Sequence, residues 1–101
     1  MKTELEPIRI RSNTKPGKAA GYIVERLAVN SEADVRAIGP KAISQSAKAI
    51  AIARDMVADQ DVDIAAYPNF VDADVDGQKH TALRFYLVAV PLRTEEFDGQ
   101  D

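Results

Sequence analysis

The spacing of hydrophobic residues changes several times along the chain, and each change predicts a new element. Residues 7–11 alternate apolar and basic side chains, which predicts a short strand. Residues 12–18 have the polar, Pro- and Gly-containing composition of a loop. Apolar side chains then recur with helical spacing at Ala20, Ile23, Val24 and Leu27. This spacing predicts an amphipathic helix over residues 19–28.

The middle of the chain predicts a second strand and a longer helix. Residues 30–34 are polar and are interpreted as a connection, and residues 35–38 form a short apolar strand. Pro40 suits the first turn of a helix, where its missing N–H costs nothing, so the helix is predicted from Pro40 to Ala58. Its expected core stripe consists of Ile43, Ala47, Ile50, either Ala53 or Arg54, and Val57. Its many alanines would allow close approach of another backbone.

The last part of the chain predicts a β-hairpin. Residues 62–75 and 79–90 are rich in β-branched and aromatic side chains, and Asp76-Gly77 between them is typical of a type I′ turn. Pro68 predicts a bulge or an edge position, since proline has no N–H for a ladder. The order β-α-β-α-β-β predicts an α/β (α+β) fold. We expect a four-stranded mixed sheet with two helices packed on one face.

Length and composition predict one soluble domain. The 101 residues suffice for a single core, placed at 7–92 between a short N-terminal extension (1–6) and a disordered acidic tail (93–101). There is no cysteine, no signal-peptide pattern and no apolar run of roughly 18 residues. We therefore expect a cytoplasmic protein without a membrane partner.

Charge is distributed unevenly although the net charge is only −3. Residues 1–56 contain ten Lys/Arg against six Asp/Glu, whereas residues 57–101 contain three against ten. Because four of those acids fall in the last seven residues, the predicted domain is close to neutral and has a basic first half. The net charge alone therefore does not exclude a polyanionic partner.

Several basic residues are expected at one edge of the sheet. Lys15 and Lys18 follow the first strand, and Lys41 follows the second strand at the start of a helix, where free N–H groups favour phosphate oxygens. In a parallel arrangement these segments meet. The predicted nucleic-acid contacts are Arg11, Lys15, Lys18, Lys41, Gln45 and Lys48. The alternative is a scattered, solvated set of charges, and the spacing alone favours that alternative.

No spacing in the chain predicts catalysis or metal binding. Residues 72–77 match the start of a calcium-binding EF-hand loop, but Leu83 stands where the loop needs a bidentate glutamate. His80 is the only histidine and has no evident orienting partner or nucleophile. We expect a non-enzymatic protein that uses no cofactor and no small-molecule substrate.

Two segments carry a resemblance to a known family. Residues 37–54, with the sequence AIGPKAISQSAKAIAIAR, resemble the signature of stage V sporulation protein S. Further similarity is found at Tyr67-Pro68-Asn69-Phe70, Asp76-Gly77 and Thr81-Ala82-Leu83-Arg84. The similarity covers about residues 7–92.

The resemblance implies a fold like that of the Alba chromatin proteins, a homodimer, and a regulatory role that involves DNA or RNA. In Alba-type proteins, basic residues after the first strand and at the start of the second helix contact the phosphate backbone. The positions that match are Lys15 and Lys41. Alba proteins also use a basic hairpin, and this hairpin differs because it carries Asp72, Asp74 and Asp76.

A second function class stays open. The net negative charge is compatible with an oligomeric scaffold or protein-interaction module that binds no nucleic acid. In that case Ile52 and Met56, which lie off the predicted core stripe, would contribute to the contact surface.

Overall fold

The element order along the chain matches the predicted β-α-β-α-β-β pattern. The computed structural model describes residues 5–93, and the bounds below refer to them. The strands are β1 (Ile8–Ile10), β2 (Glu32–Ala37), β3 (Val62–Val75) and β4 (Gln78–Pro91). The helices are α1 (Pro16–Asn30) and α2 (Pro40–Val57), and one turn of 3-10 helix (Ala58–Gln60) follows α2.

The strands form one mixed sheet in the order β1-β2-β4-β3. β1 and β2 pair in parallel, and the other two pairings are antiparallel. Both helices pack on the same face of this sheet, which leaves the other face, called the open face below, without a helix. The predicted fold class is confirmed.

The core lies between the two helices and the covered face of the sheet. Ile23 of α1, Val35 of β2 and Leu87 of β4 are fully buried at its centre. Burial of each such side chain contributes about 1.5–3 kcal/mol. Ala20 and Ala49 are also fully buried, and their small side chains allow the helices to approach closely.

The predicted bounds of α1 and β2 were wrong. α1 begins at Pro16 rather than at residue 19, so Lys18 lies in the helix and not in a loop. α1 ends where Ser31 adopts a left-handed conformation (φ 64°) and donates its N–H to the Leu27 carbonyl. β2 then begins at once, so residues 32–34 are strand and not a connection. Their polar side chains misled the prediction because β2 places them on the open face.

The predicted core stripe of α2 is partly wrong. Ala47 is exposed and Ile43 is only half-buried. The buried residues are instead Ala42, Ser46, Ala49, Ile50, Ala53 and Val57. The buried stripe is therefore rotated toward the smaller side chains. Ser46 is tolerated there because its hydroxyl donates to the Ala42 carbonyl at 2.9 Å.

The β3–β4 hairpin has the predicted two-residue turn. Asp76 (φ 52°) and Gly77 (φ 79°) both adopt positive φ, as a type I′ turn requires. The register is unbroken along both strands, so Pro68 marks no bulge, and the predicted edge position is confirmed because β3 is an outer strand. β2 pairs with β4 only from Leu83 onward, so residues 71–82 extend as a two-stranded arm. We call this the acidic arm, after Asp72, Asp74 and Asp76.

The predicted N-terminal extension and acidic tail fall largely outside the described residues. Residues 1–4 and 94–101 are not described, and both assignments stay predictions.

An ion pair joins α2 to the start of β3. Arg54 donates from Nε and an Nη atom to the two carboxylate oxygens of Asp63, at 2.7 and 3.1 Å. The hydrogen bonds from Arg54, together with the Ile64 N–H, lower the pKa of Asp63 below its usual value. Ionised Asp63 therefore stabilises the fold above pH ~3.8, and this contribution is lost as the pH falls through the lowered pKa.

We expect Asp63→Asn to lower the free energy of unfolding at pH 7 by less than about 1 kcal/mol, because Arg54 is largely exposed to solvent. The deficit should shrink at pH 3, below the ordinary pKa of an aspartate, because the unfolded parent chain takes up a proton there before the folded protein does. Urea unfolding of both proteins at equal concentration, followed by circular dichroism, measures the difference. A deficit that does not change between the two pH values would contradict this assignment.

Candidate nucleic-acid interface

Both helices begin at the same edge of the sheet. β1 and β2 are parallel neighbours, and their last residues, Ile10 and Ala37, pair directly. α1 starts a few residues after β1, and α2 starts a few residues after β2, so their N-termini lie at the edge where both strands end. The sequence analysis placed Lys15, Lys18 and Lys41 at this edge, and we call these three residues the lysine cluster.

The local sequence explains why each helix starts where it does. Lys15 is the N-cap of α1 in an extended conformation (φ −80°, ψ 122°), and Pro16 follows with a φ suited to the first turn. Gly39 is the N-cap of α2 with a φ of 89°, a region that strongly favours glycine, and Pro40 follows. Lys41 therefore lies in the first turn of α2.

Neither helix N-terminus is neutralised by an acidic side chain. Both lack an Asp or Glu in the first turn, and neither has a side-chain hydrogen bond at its cap. The partial positive charge of each helix end is thus uncompensated, and free N–H groups remain available to an anion. The lysine cluster adds full positive charges at the same edge.

A hydrogen bond fixes the loop after β1 against α2. The side-chain amide of Gln45 donates to the Thr14 carbonyl at 2.8 Å. Thr14 also closes a turn with Arg11, accepting from its N–H through Oγ1 at 2.8 Å. Because Lys15 follows Thr14 directly, Gln45 helps to position that lysine. The predicted contact residue Gln45 therefore already has one amide hydrogen engaged within the protein.

The other predicted contact residues are accessible to solvent. Lys18 is exposed in the first turn of α1, and Lys48 is exposed on α2 about two turns beyond Lys41. Arg11 is exposed just after β1. Within residues 5–93, none of these three side chains forms an ion pair with a carboxylate. Their charges are therefore available to a ligand.

The acidic arm lies at this same end of the molecule. An open groove of about 770 Å³ separates it from the ends of β1 and β2. The basic side chains that line the groove are Arg9, Arg11 and Arg36, and the acidic ones are Asp72, Asp74 and Asp76. Any anion that binds beside this groove meets both signs of charge, which weakens the net attraction.

The sequence analysis missed a polar cluster on the open face. Asp34 is almost completely buried there and accepts two hydrogen bonds from Arg36, at 3.1 and 3.0 Å. These hydrogen bonds raise the pKa of Arg36 above its usual value. Arg84 Nε lies 3.2 Å from Asp34 Oδ2, so one carboxylate lies between two guanidinium groups. The alternation of residues 32–37 could have indicated this cluster, had these residues been assigned to a strand.

Residues 5–93 contain no group of three or more His, Cys, Asp or Glu side chains arranged to hold a metal ion. Across the same residues, no helix combines the length and the apolar character that crossing a membrane requires.

A protein-family model matches most of the chain. The family model described as stage V sporulation protein S matches residues 6–90. The match covers nearly all of the described part of the chain, including every strand and helix except the last residue of β4.

Proposed function

The chain belongs to the stage V sporulation protein S family and is in this sense a sporulation-related protein, and from this premise we propose that it acts by binding the phosphate backbone of DNA or RNA. Binding would show little sequence preference, because the proposed contacts are to phosphates and not to base edges. The role we propose is regulatory and non-enzymatic, in the cytoplasm.

One observation carries the proposal. Two helix N-termini without acidic side chains lie at the same edge of the sheet, and Lys15, Lys18 and Lys41 belong to their first turns or caps. Free N–H groups and ammonium groups are the donors that phosphate oxygens prefer at such positions. Lys48 and Arg11 extend the positive charge on either side, and Gln45 orients the loop that bears Lys15.

The acidic arm predicts that the interaction is moderate in strength. Its three aspartates line the groove beside Arg11, so a nucleic acid that approaches the lysine cluster is partly repelled. Salt screens this long-range repulsion, so the repulsion is strongest at low ionic strength. A duplex is therefore expected to lie across the helix N-termini and not along the arm.

The test is a salt titration of nucleic-acid binding. Fluorescence anisotropy with a labelled duplex should be measured from about 20 to about 200 mM salt. The affinity should fall steeply as the salt concentration rises, because binding releases counterions from the phosphates and this release is less favourable at high salt. Lys15→Ala combined with Lys41→Ala removes two phosphate contacts. We expect this variant to bind about tenfold more weakly at low salt and to reduce the slope of log K against log salt by about two.

Lys79→Ala is the control, since this exposed lysine lies on the acidic arm opposite Asp74 and belongs to neither helix N-terminus. Its salt slope should stay within the error of the parent slope. The proposal is wrong if the parent protein binds neither DNA nor RNA at the lowest salt concentration.

We also propose that the protein is a homodimer, because an apolar surface is exposed beside β3. Ala47, Ala51 and Arg54 follow one stripe of α2, and Arg54 pairs with Asp63 of β3, so both alanines flank this strand. Phe70 shares the covered face of β3 with the buried Ile64, yet it is 75% exposed because neither helix reaches it. A second copy related by twofold symmetry would cover this surface with the same residues.

The scaffold hypothesis is supported by a separate observation. Ile52 and Met56 are exposed on another side of α2, the side that bears Lys41 and Lys48. A protein partner could use this apolar strip without any nucleic acid. Isolation of the protein at low salt distinguishes the two, since bound nucleic acid raises the 260 nm absorbance and a bound protein does not.

A further inference from the structure

Three arginines form a continuous row across the open face. Arg9 of β1 pairs with Arg36 of β2, and Arg36 pairs with Arg84 of β4. Asn69 of β3 completes the row opposite Arg84. Neighbouring strands lie about 4.8 Å apart, so the row presents closely spaced guanidinium groups across the width of the sheet. We call Arg9, Arg36 and Arg84 the arginine row.

A pair of tyrosines occupies the next row of the same face. Tyr67 of β3 pairs with Tyr86 of β4, and their ring centroids are 6.3 Å apart at an interplanar angle of 36°. The guanidinium of Arg84 lies 5.2 Å from the centre of the Tyr86 ring. Tyr86 is held further by a hydrogen bond to the carboxylate of Glu32, which raises the pKa of its hydroxyl. Tyr67 is 58% exposed, so a large part of its ring is free to contact a ligand.

The positive charge of the arginine row is only partly compensated. Like charges directly opposite each other on neighbouring strands are unfavourable. Asp34 neutralises one of the two guanidinium groups it contacts, and Arg9 has no carboxylate partner within residues 5–93. Arg84 Nε is buried without an aligned hydrogen-bond acceptor, even though Asp34 lies nearby. An anion placed on this face would supply the exposed Arg9 with a partner.

We propose that the open face binds single-stranded nucleic acid, with phosphates on the arginine row and an unpaired base on Tyr67. Guanidinium groups suit phosphate oxygens, and exposed aromatic rings stack with bases of any sequence. A duplex cannot use the tyrosines, because its bases are already stacked inside. This surface is distinct from the lysine cluster, and the inference rests on the proposed function only in taking nucleic acid as the ligand.

Basic residues connect the arginine row to the lysine cluster. Arg9 and Arg36 line the same groove as Arg11, which follows β1 and begins the turn that Thr14 closes just before Lys15. A strand bound to the arginine row could therefore continue past Arg11 toward the lysine cluster. The open face thus supplies stacking and the lysine cluster supplies further phosphate contacts.

The test compares single-stranded and duplex probes on surface variants. The probes are labelled oligo-uridine and oligo-thymidine of about 12 nucleotides, which suits the usual site size, and a mixed-sequence duplex. The variants are Tyr67→Ala and Arg9→Gln, neither of which removes a buried group. The matched controls are Tyr22→Ala, an α1 tyrosine that is 53% exposed, and Lys79→Gln, which removes one charge from the acidic arm.

We expect Tyr67→Ala to weaken binding of the single-stranded probes about tenfold, the usual effect of losing one stacking side chain. Arg9→Gln should weaken the same probes several-fold and reduce their salt slope by about one. Duplex binding should be unchanged in Tyr67→Ala, and both controls should bind like the parent. A stronger effect with oligo-uridine than with oligo-thymidine would identify RNA as the preferred ligand.

The outcomes separate this inference from the proposed function. If Tyr67→Ala and Arg9→Gln bind single strands as the parent does, the open face is not the site, whatever the lysine variants show. If single-strand binding depends on Tyr67 but is unaffected by Lys15→Ala with Lys41→Ala, the inference holds and the lysine cluster contributes nothing to single-strand binding. Absence of binding to every probe at low salt overturns both.

Discussion

Asp34→Ala is expected to lower the free energy of unfolding by about 3 kcal/mol. The carboxylate is 3% exposed and lies between the guanidinium groups of Arg36 and Arg84. Its removal leaves two positive charges opposite each other on neighbouring strands, with no counterion between them. Both arginine side chains keep about a third of their surface in solvent. The loss of stability should therefore lie at the lower end of the range for breaking a buried ion pair. Urea unfolding at fixed protein concentration measures it.

Two companion variants test whether the loss of stability is specific to the Asp34 carboxylate. Asp74→Ala removes an exposed aspartate from the acidic arm and should change stability by less than about 0.5 kcal/mol. Asp34→Ala combined with Arg84→Met removes one of the opposed charges and should recover part of the lost stability. If Asp34→Ala is as stable as Asp74→Ala, the carboxylate does not hold this face together.

Phe70→Asp is expected to convert the proposed dimer into a monomer. Phe70 is 75% exposed in the isolated chain, and in the proposed dimer the second copy would bury it. A charge placed in an apolar interface loses its hydration without gaining a partner, so the affinity between copies should fall at least 100-fold. Sedimentation equilibrium should show the mass of the parent to be twice 11.0 kDa and that of the variant to be 11.0 kDa.

Val29→Asp is the matched control for this experiment. Val29 is 77% exposed near the end of α1, far along the chain from the apolar surface beside β3. The Val29→Asp variant should sediment with the same mass as the parent protein. A parent protein that sediments as a monomer at tens of micromolar concentration would rule out the proposed dimer.

Much of the fold could be predicted from the sequence because strong local signals are present. Asp76-Gly77 requires a two-residue turn, Pro40 sets the start of α2, and the apolar period predicts α1 but not its first turn. The prediction failed where polar residues lie in a strand and where small residues are buried in a helix. Glu32 and Asp34 read as loop residues, since acids are uncommon in strands and Arg84, which Asp34 meets on the neighbouring strand, is distant along the chain. The predicted core stripe of α2 was rotated relative to the observed one because small buried residues give a weak periodic signal.

The candidate sites differ in how far the sequence could predict them. The lysine cluster follows from local order alone, since each lysine lies just after a strand that ends at the same edge. The arginine row does not, because Arg9, Arg36 and Arg84 lie far apart along the chain and only the strand register aligns them. The same holds for Tyr67 and Tyr86, whose pairing depends on the hairpin turn many residues away.

Pro68 has a consequence for how the protein behaves at high concentration. β3 is an outer strand of 14 residues, and its free side could recruit the edge strand of another molecule into a growing fibril. Pro68 lies near the middle of this strand and supplies no N–H, so any such intermolecular ladder would be interrupted there. Asp72 and Asp74, which follow on the same strand, would in addition repel their copies. The long hairpin can therefore remain accessible without seeding aggregation.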